Sequence, residues 1–507
     1  MAMASCNPNE SKLLNDDTSQ ERSANVHKVE DQEMEGLPCR QHQSLSILSG
    51  PEKILSILII TTMTFLGPAS TSMYFPILGT LSRELHVFPS QISLTITVYM
   101  ITQALFPLLT ASFSDQRGRR PVFIVCLAVY LSANIGLALQ TSYGGLMALR
   151  CLQSFGSSSL SVVGIAYLSD ILTRAERSKY RLYTSSGYTL SHLVGPVTGG
   201  LLAQFLGWRY VFWFLAIFAA VTILFILVFL RESCRAVVHN GEVPPQRWNR
   251  ALIDFLHPLE YRQDTPWPRT PGRTPGRTPG VLDTIRLLSH RSTCLLSIFS
   301  AVLFCGNMAI FVSIPVLFED QYGFQLWQVG LTYVPYAVGG FAARWIVAPL
   351  TTKNKRRYRR RIGVEAMDRS PQELPLERAC LQVILPFVYM ACIWMAVYGW
   401  LMKRNVHPAG PLVMLCFAGN AITGVNIGIT GLLLATHGKR PAVVLAAANL
   451  VRFLCAAGAV AGILPLVKTV GIGWTATIMA GVYLLFSGLL WVVYCYGHLW
   501  RTIEQKE

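Results

Sequence analysis

The chain has 507 residues, of which 52% are hydrophobic and only 14% charged, with a formal net charge of +16. An average soluble domain carries about a quarter of its residues as charges, so a single soluble globular domain is excluded. The apolar residues gather instead into twelve runs of about twenty, each long enough at about 1.5 Å per residue to cross a ~30 Å hydrocarbon layer. These runs are continuous and rich in Leu, Ala and Gly, without the roughly ten-residue alternation of a transmembrane barrel, so the expected class is an all-α integral membrane protein.

In chain order, residues 1–50 are polar, mixed in charge and without the apolar core of a cleavable signal, and read as a disordered cytosolic tail with the first span as insertion signal. The spans are predicted at 54–78, 90–110, 121–141, 145–168, 183–204 and 209–230, then 293–316, 328–350, 380–402, 410–435, 441–467 and 472–496. This is six plus six, so the expected units are a helical bundle over 51–231, a cytosolic linker over 232–292, a second bundle over 293–498 and a short cytosolic tail, 499–507. Within the linker, Arg269-Thr270-Pro271-Gly272 is repeated twice more through Gly280. It reads as a flexible or polyproline-like spacer, with proline-directed phosphorylation at Thr270, Thr274 or Thr278 as the alternative. A second basic stretch, Lys353 to Arg361, is expected to anchor the eighth span at anionic headgroups, a specific lipid or partner site being the other reading.

Of the 43 Lys and Arg, 35 fall in the two tails and in the connections on their side, five fall in loops on the other side, and three, Arg150, Arg344 and Arg452, fall within spans. The positive-inside rule therefore places both termini in the cytoplasm. The charge reports topology and gives no reason to expect nucleic acid as a partner. The 12 cysteines are scattered, none lies in an external loop and no CxxC pattern occurs, so neither a disulfide framework nor a metal or other cofactor is expected.

Between spans two and three stands Ala111-Ser112-Phe113-Ser114-Asp115-Gln116-Arg117-Gly118-Arg119-Arg120-Pro121, where an acid, a turn glycine and paired arginines in a very short loop can latch two helices and release them. In span four, Arg150, Gln153, Ser154, Ser157, Ser158 and Ser161 share one face of an otherwise apolar helix, a face expected to line a cavity. An arginine in lipid costs on the order of 2.5–3.5 kcal/mol, so Arg150 is expected to face the bundle interior, in a substrate or proton-pathway role or as a structural hydrogen-bonding group. In span five, Gly187, Ser191, Gly195 and Gly199 recur every four residues and form a smooth stripe that lets a neighbouring backbone approach, with Pro196 adding a bend.

These stretches carry a family resemblance. The 111–121 loop resembles the signature loop of the major facilitator superfamily, with Ala111 in place of its first glycine and Gln116 in place of the usual basic residue. Gly195-Pro196-Val197-Thr198-Gly199-Gly200 is similar to the antiporter motif of proton-coupled exporters, and Arg150-Cys151-Leu152-Gln153-Ser154-Phe155-Gly156 to the family's Arg-x-x-Gln-x-x-Gly. Met73-Tyr74-Phe75-Pro76, Leu94 to Tyr99 with Gln103, Gly207-Trp208-Arg209 and Asn449-Leu450-Val451-Arg452 echo the fungal twelve-span drug:proton antiporters, and the resemblance covers most of 54–496. It implies a major facilitator fold of twelve helices in two six-helix bundles, a gate at Asp115, Gly118, Arg119 and Arg120, a seal or hinge at Gly195, Pro196 and Gly199, and proton antiport. That branch includes quinidine-resistance-type multidrug exporters and fungal citrate exporters. The second-half counterpart of the gating loop, Ala348 to Lys353, lacks the Gly-x-x-x-Asp pattern.

Candidate substrate-binding residues are Tyr99, Gln103, Arg150, Gln153, Asn307, Asn420, Asn449 and Arg452, with Thr102, Thr423 and Asn426 as further polar groups; converging from both halves, they suggest a midplane cavity. All 27 Asp and Glu can be placed in tails, loops or membrane edges, so the charge within the spans is positive and favours an anion able to accept fork-like hydrogen bonds. Candidates for proton coupling are Asp115, Asp170 and His192. The expected protein is a monomeric plasma-membrane exporter of fungal type whose partners are a small-molecule substrate, protons and the lipid bilayer. Organic acids or acidic metabolites are the first cargo class, with amphipathic drugs or toxins and then polyamines or other cations as alternatives, and a substrate-sensing receptor on the same scaffold as the reading from another class. No spacing assembles a nucleophile with a base, a phosphate loop or a metal cluster, so an enzyme is not expected.

Overall fold

The computed structural model describes residues 50–172, 174–238, 246, 249–256, 286–361, 375–436 and 441–504. The N-terminal tail to residue 49, the Arg-Thr-Pro-Gly repeats with Thr270, Thr274 and Thr278, and the last three residues lie outside the described residues. All regular structure among the described residues is helical. The long helices of the first half are α1 (Gly50–Ser72), α2 (Pro89–Arg117), α3 (Arg119–Leu139), α4 (Tyr143–Ile171), α5 (Arg174–Phe205) and α6 (Arg209–Phe229). Those of the second half are α7 (Arg291–Tyr322), α8 (Leu326–Arg361), α9 (Leu376–Lys403), α10 (Ala409–Thr436), α11 (Pro441–Val470) and α12 (Ile472–Glu504). After α1 the chain continues through a 3-10 turn at Phe75–Ile77, entered at Pro76, and a short helix at Leu78–Glu84.

Most helices overrun the apolar runs that predict them, because a turn that has left the hydrocarbon can remain helical while its side chains become polar. The clearest cases are α5 and α8, 32 and 36 residues long, which carry Arg174 to Arg181 in the first turns and Lys353 to Arg361 in the last. The other ten are each long and apolar enough to cross a membrane by length and composition.

Packing repeats with an offset of six helices. In the first half α1 packs on α4, α5 and α6, α2 on α4, and α3 on α4 and α6; in the second, α7 packs on α10, α11 and α12, α8 on α10, and α9 on α10 and α12. Two cross-contacts, α5 with α8 and α2 with α11, join the halves and are themselves related by the same offset. Such paired bundles are the architecture of transporters that rock one half against the other about a central site. On the outside, Leu485 and Trp345 remain 76% and 69% exposed, the reverse of what water tolerates and what lipid covers.

The small residues of α5 explain its two seams. Ser72 Oγ donates to the Ser191 carbonyl at 2.8 Å, and a Cβ at Gly187, Gly195 or Gly199 would collide with Thr61, Ser72 or Met73, so the stripe seats α5 against α1. The adjoining face meets the other half: a Cβ at Gly200 would lie 2.5 Å from the Leu326 carbonyl, and one at Gly330 would collide with that of Pro196. Nearby, the Leu326 amide donates to Gln204 Oε1 at 3.1 Å, Phe75 stacks on Tyr333 and meets Phe311 edge-on, and Arg83 pairs with Glu319 at 3.6 Å. The halves are thus sealed together on the side opposite the Asp115–Arg120 loop.

Candidate functional site

The loop between α2 and α3 is a single residue, Gly118, at φ +111°, a conformation that glycine alone adopts without strain. A Cβ there would also lie 2.6 Å from Glu232 Oε2. The Arg119 guanidinium pairs with Asp115 one turn back and with Asp170 of α4 at 3.3 Å, and donates to Ser114 Oγ at 2.7 Å. The three predicted groups Asp115, Arg119 and Asp170 therefore form one cluster tying α2, α3 and α4 together, and Arg120 turns away to donate to the Leu227 carbonyl of α6 at 3.0 Å.

Glu232 completes this cluster, and motif spacing did not single it out. Its Oε1 accepts from the amides of Arg119, Ser233 and Cys234 at 2.9, 3.0 and 2.9 Å, and its Oε2 from the Arg120 amide at 3.1 Å and Asn249 Nδ2 at 2.9 Å. A carboxylate on the first amides of α3 satisfies donors that no helix can satisfy internally and complements the positive end of the helix dipole. Arg231 pairs with Glu52 at 3.1 Å and with Asp254 at 2.9 Å, and the Leu252 amide donates to Leu227 O at 3.1 Å. Among the described residues of the predicted linker, 232–238 and 249–256 are therefore docked against the first bundle as a strap. The signal available in the sequence was an acid directly at the exit of an apolar span, ahead of an arginine-rich stretch.

Arg150 is fully buried, its guanidinium held between the rings of Tyr74 and Tyr99 at 3.9 and 4.6 Å from their centroids. Its Nη1 donates to Gln153 Oε1 at 2.6 Å and to the Ser70 carbonyl at 3.3 Å, while Gln153 Nε2 donates to Asn134 Oδ1 at 2.7 Å. The Tyr99 hydroxyl lies 2.9 Å from Ser157 Oγ, and Ser154 Oγ donates to Tyr99 O at 2.7 Å. The polar face of α4 thus turns toward α1, α2 and α3, inside the first bundle, with Arg150 Nε and Nη2 buried there and without a hydrogen-bond partner among the described residues.

The cavity lies elsewhere. A cavity of about 80 Å³ is bounded by α5, α7, α8 and α10, at mid-length of each. From α5 come Tyr188, Thr189 and His192; from α7, Ser300, Leu303, Phe304, Asn307 and Phe311, all on one helical face; from α8, Tyr336, Ala337, Gly340 and Arg344; from α10, Ile422, Thr423 and Asn426. Arg344 donates to Thr189 Oγ1 across the seam between the halves. Arg452 of α11, packed over Phe304, donates to two lining side chains, Ser300 Oγ at 2.8 Å and Asn426 Oδ1 at 3.1 Å. Asn307 accepts from the Tyr336 hydroxyl. No carboxylate stands among the described lining residues.

Of the predicted substrate-binding residues, the structure thus brings Asn307 and Arg452 to this cavity, with Thr423 and Asn426. Tyr99, Arg150 and Gln153 are buried in the first bundle. Asn420 Nδ2 donates to the Gly339 carbonyl at 3.2 Å, and Gln103 and Asn449 are half-buried on α2 and α11 without lining the cavity. Of the proton-coupling candidates only His192 reaches it. Arg344 and Tyr188 are the additional residues; Arg344 was visible as an in-span charge, but its partner Thr189 comes from the other half.

Two related six-helix bundles about a cavity on their seam define a multi-pass membrane transporter. The chain matches the model of the Major Facilitator Superfamily over residues 60–454 and belongs to that family, whose members are transporters and not enzymes. It is 37% identical over 502 residues to MFS-type transporter R5 of Phoma sp., an alignment covering 98% of this chain and 94% of that one. It is 30% identical over 479 residues to Citrate exporter 1 of Aspergillus niger, covering 91% and 89%. The solved xylose transporter XylE from E. coli, in a partially occluded inward-open conformation, superposes with a TM-score of 0.62 at 14% identity, covering 87% of this chain and 98% of that one, a likeness of fold alone.

Proposed function

We propose that this transporter exports a small organic acid across the plasma membrane by alternating access, as a monomer with both termini in the cytoplasm. The observation that carries the reading is the chemistry of the cavity on the seam: Arg344 in its wall, Arg452 behind Ser300 and Asn426, several neutral donors, and no carboxylate among the described lining residues. A carboxylate entering such a site exchanges its hydration for charge-assisted hydrogen bonds, whereas a cation meets two like charges. The similarity to a citrate exporter supports the same cargo class.

Export against a gradient needs a coupled ion, and His192 is the group we assign to proton coupling on the cavity wall. Its Nδ1 lies 2.9 Å from the Tyr188 carbonyl, which can only accept, so Nδ1 carries the hydrogen and the Nε2 lone pair is left to take a proton. Asp115 and Asp170, paired with Arg119, are assigned to the gate on the cytoplasmic side. The aromatic walls Phe304 and Phe311 favour one second reading, efflux of amphipathic drugs or toxins. Proteoliposomes with an imposed pH gradient separate the two: uptake of di- and tricarboxylates is expected, and gradient-driven movement of cationic amphiphiles without the acids would replace the organic-acid reading with multidrug efflux.

A further inference from the structure

We infer that the cargo is an elongated amphipathic acid, its carboxylate held at the Arg344 end of the cavity and its apolar body lying toward Phe311. This rests on the organic-acid reading and sharpens it. The cavity is polarised along the helices. One end holds Arg344, Thr189, Ser300 and Asn426, with Arg452 bonded to the last two. The other holds Phe311, 4.8 Å from Tyr336 and 6.0 Å from His192, centroid to centroid, together with Asn307, which accepts from the Tyr336 hydroxyl, while Tyr188, next to Thr189 in the chain, bridges the two ends.

The register on α8 separates the backbone positions of the two ends. Tyr336 and Arg344 are eight residues apart on α8, so about 12 Å of helix lies between them. Beyond the aromatic end Phe75 packs on Phe311 and Tyr333. A compact hydrophilic polyacid would reach the cationic end and leave the aromatic end unfilled; a neutral amphiphile would fill the aromatic end and offer the arginine no acid. A molecule with an acid at one end and a hydrocarbon or aryl body satisfies both. Because Arg344 belongs to one half and its partner Thr189 to the other, a carboxylate bound there touches the moving seam itself, where occupancy can alter the fit between the halves.

The test is equilibrium binding of tritiated octylsuccinate to the purified full-length protein in nanodiscs, with empty nanodiscs subtracted, competed by succinate, butylsuccinate, the diamide of octylsuccinate and dodecyltrimethylammonium. Each buried methylene is worth about a factor of four, so affinity should rise from succinate through butylsuccinate to octylsuccinate by more than about tenfold in all. The diamide should compete at least about tenfold more weakly than the acid, since it forfeits the charge-assisted bonds. Arg344→Gln should weaken octylsuccinate binding about tenfold, with Arg344→Lys intermediate because it keeps the charge without the fork. Thermal midpoints of both variants guard against misfolding. Equal binding of succinate and octylsuccinate would overturn the elongated cargo while leaving the organic-acid reading intact, as would equal binding by wild type and Arg344→Gln for the placement of the head. Binding of tritiated dodecyltrimethylammonium, measured directly on the same nanodiscs, with no binding of octylsuccinate would overturn the organic-acid reading itself.

Discussion

Replacing Glu232 by Gln perturbs the proposed gate at one atom. The retained Oε1 still accepts the three amides it serves, but Oε2 becomes an NH2 facing the Arg120 amide and Asn249 Nδ2. The Asn249 side chain can turn over, because its Oδ1 is buried and has no hydrogen-bond partner in the structure, and would then accept from the new NH2. The Arg120 amide has no such recourse. One charge-assisted bond is lost, about 1.5–3 kcal/mol, together with a negative charge at a helix N-terminus, about 0.3–1 kcal/mol, for a total of roughly 2–4 kcal/mol. Glu232→Ala strands all five donors and should cost more, in the range of about 3–5 kcal/mol measured when a buried charge interaction loses one partner. In scanning fluorimetry of the purified protein, the Gln variant should melt several degrees lower, at about 2–4 °C per kcal/mol for a unit of this size, and the Ala variant lower still. A Gln or Ala variant that melts with the native protein would refute the assignment of Glu232 as the cap that holds α3 and the strap together.

Gly118→Ala forces a Cβ both into a left-handed conformation and to 2.6 Å from Glu232 Oε2, so a loss of about 1–3 kcal/mol is expected, read as a lowered melting midpoint and reduced abundance at the membrane. Asp115→Asn removes the ion pair to Arg119 but leaves Asp170 in place, so turnover should fall several-fold at unchanged surface abundance; normal transport would count against the cluster as a gate. Arg150→Lys keeps the charge but loses the flat contact with Tyr74 and Tyr99, each worth about 2 kcal/mol when desolvated. Its melting midpoint should drop while affinity for an acid at the Arg344 cavity stays at the native value, and a selective loss of affinity would return Arg150 to the binding site.

Hydropathy made the twelve spans legible because lipid imposes length and apolarity on each helix separately, a demand written in contiguous residues. It missed the ends of α5 and α8 because helix continuity is a backbone property that persists after the side chains turn basic. The 111–121 loop was equally legible, since Gly118, Asp115 and Arg119 meet within one turn of their own helices. Glu232 was not, as its partners on α3 lie 112 and 113 residues away and only the fold brings them to it. The stripe on α5 announced a close approach but not its target, and the structure supplies two, α1 for Gly195 and Gly199 and α8 for Gly200.

The three in-span arginines show why a charge in a membrane helix does not by itself identify a binding site. Each must recover the cost of leaving water, and the protein does so in two ways. Arg150 is enclosed: two aromatic faces flank it, Gln153 and the Ser70 carbonyl take its Nη1, and it is fully buried, with Nε and Nη2 left without a hydrogen-bond partner among the described residues. Arg344 and Arg452 instead donate to short polar side chains on the border of a cavity, Thr189, Ser300 and Asn426, with Phe304 against Arg452, and each of these hydrogen bonds can be kept or exchanged as a ligand arrives. Enclosure stabilises a bundle and removes the charge from reach; a hydroxyl and amide border holds the charge ready for an anion. By that criterion the proposed anion recognition is assigned to the seam formed by α5, α7, α8 and α10, and the arginine that best matches a family motif to the packing of the first bundle.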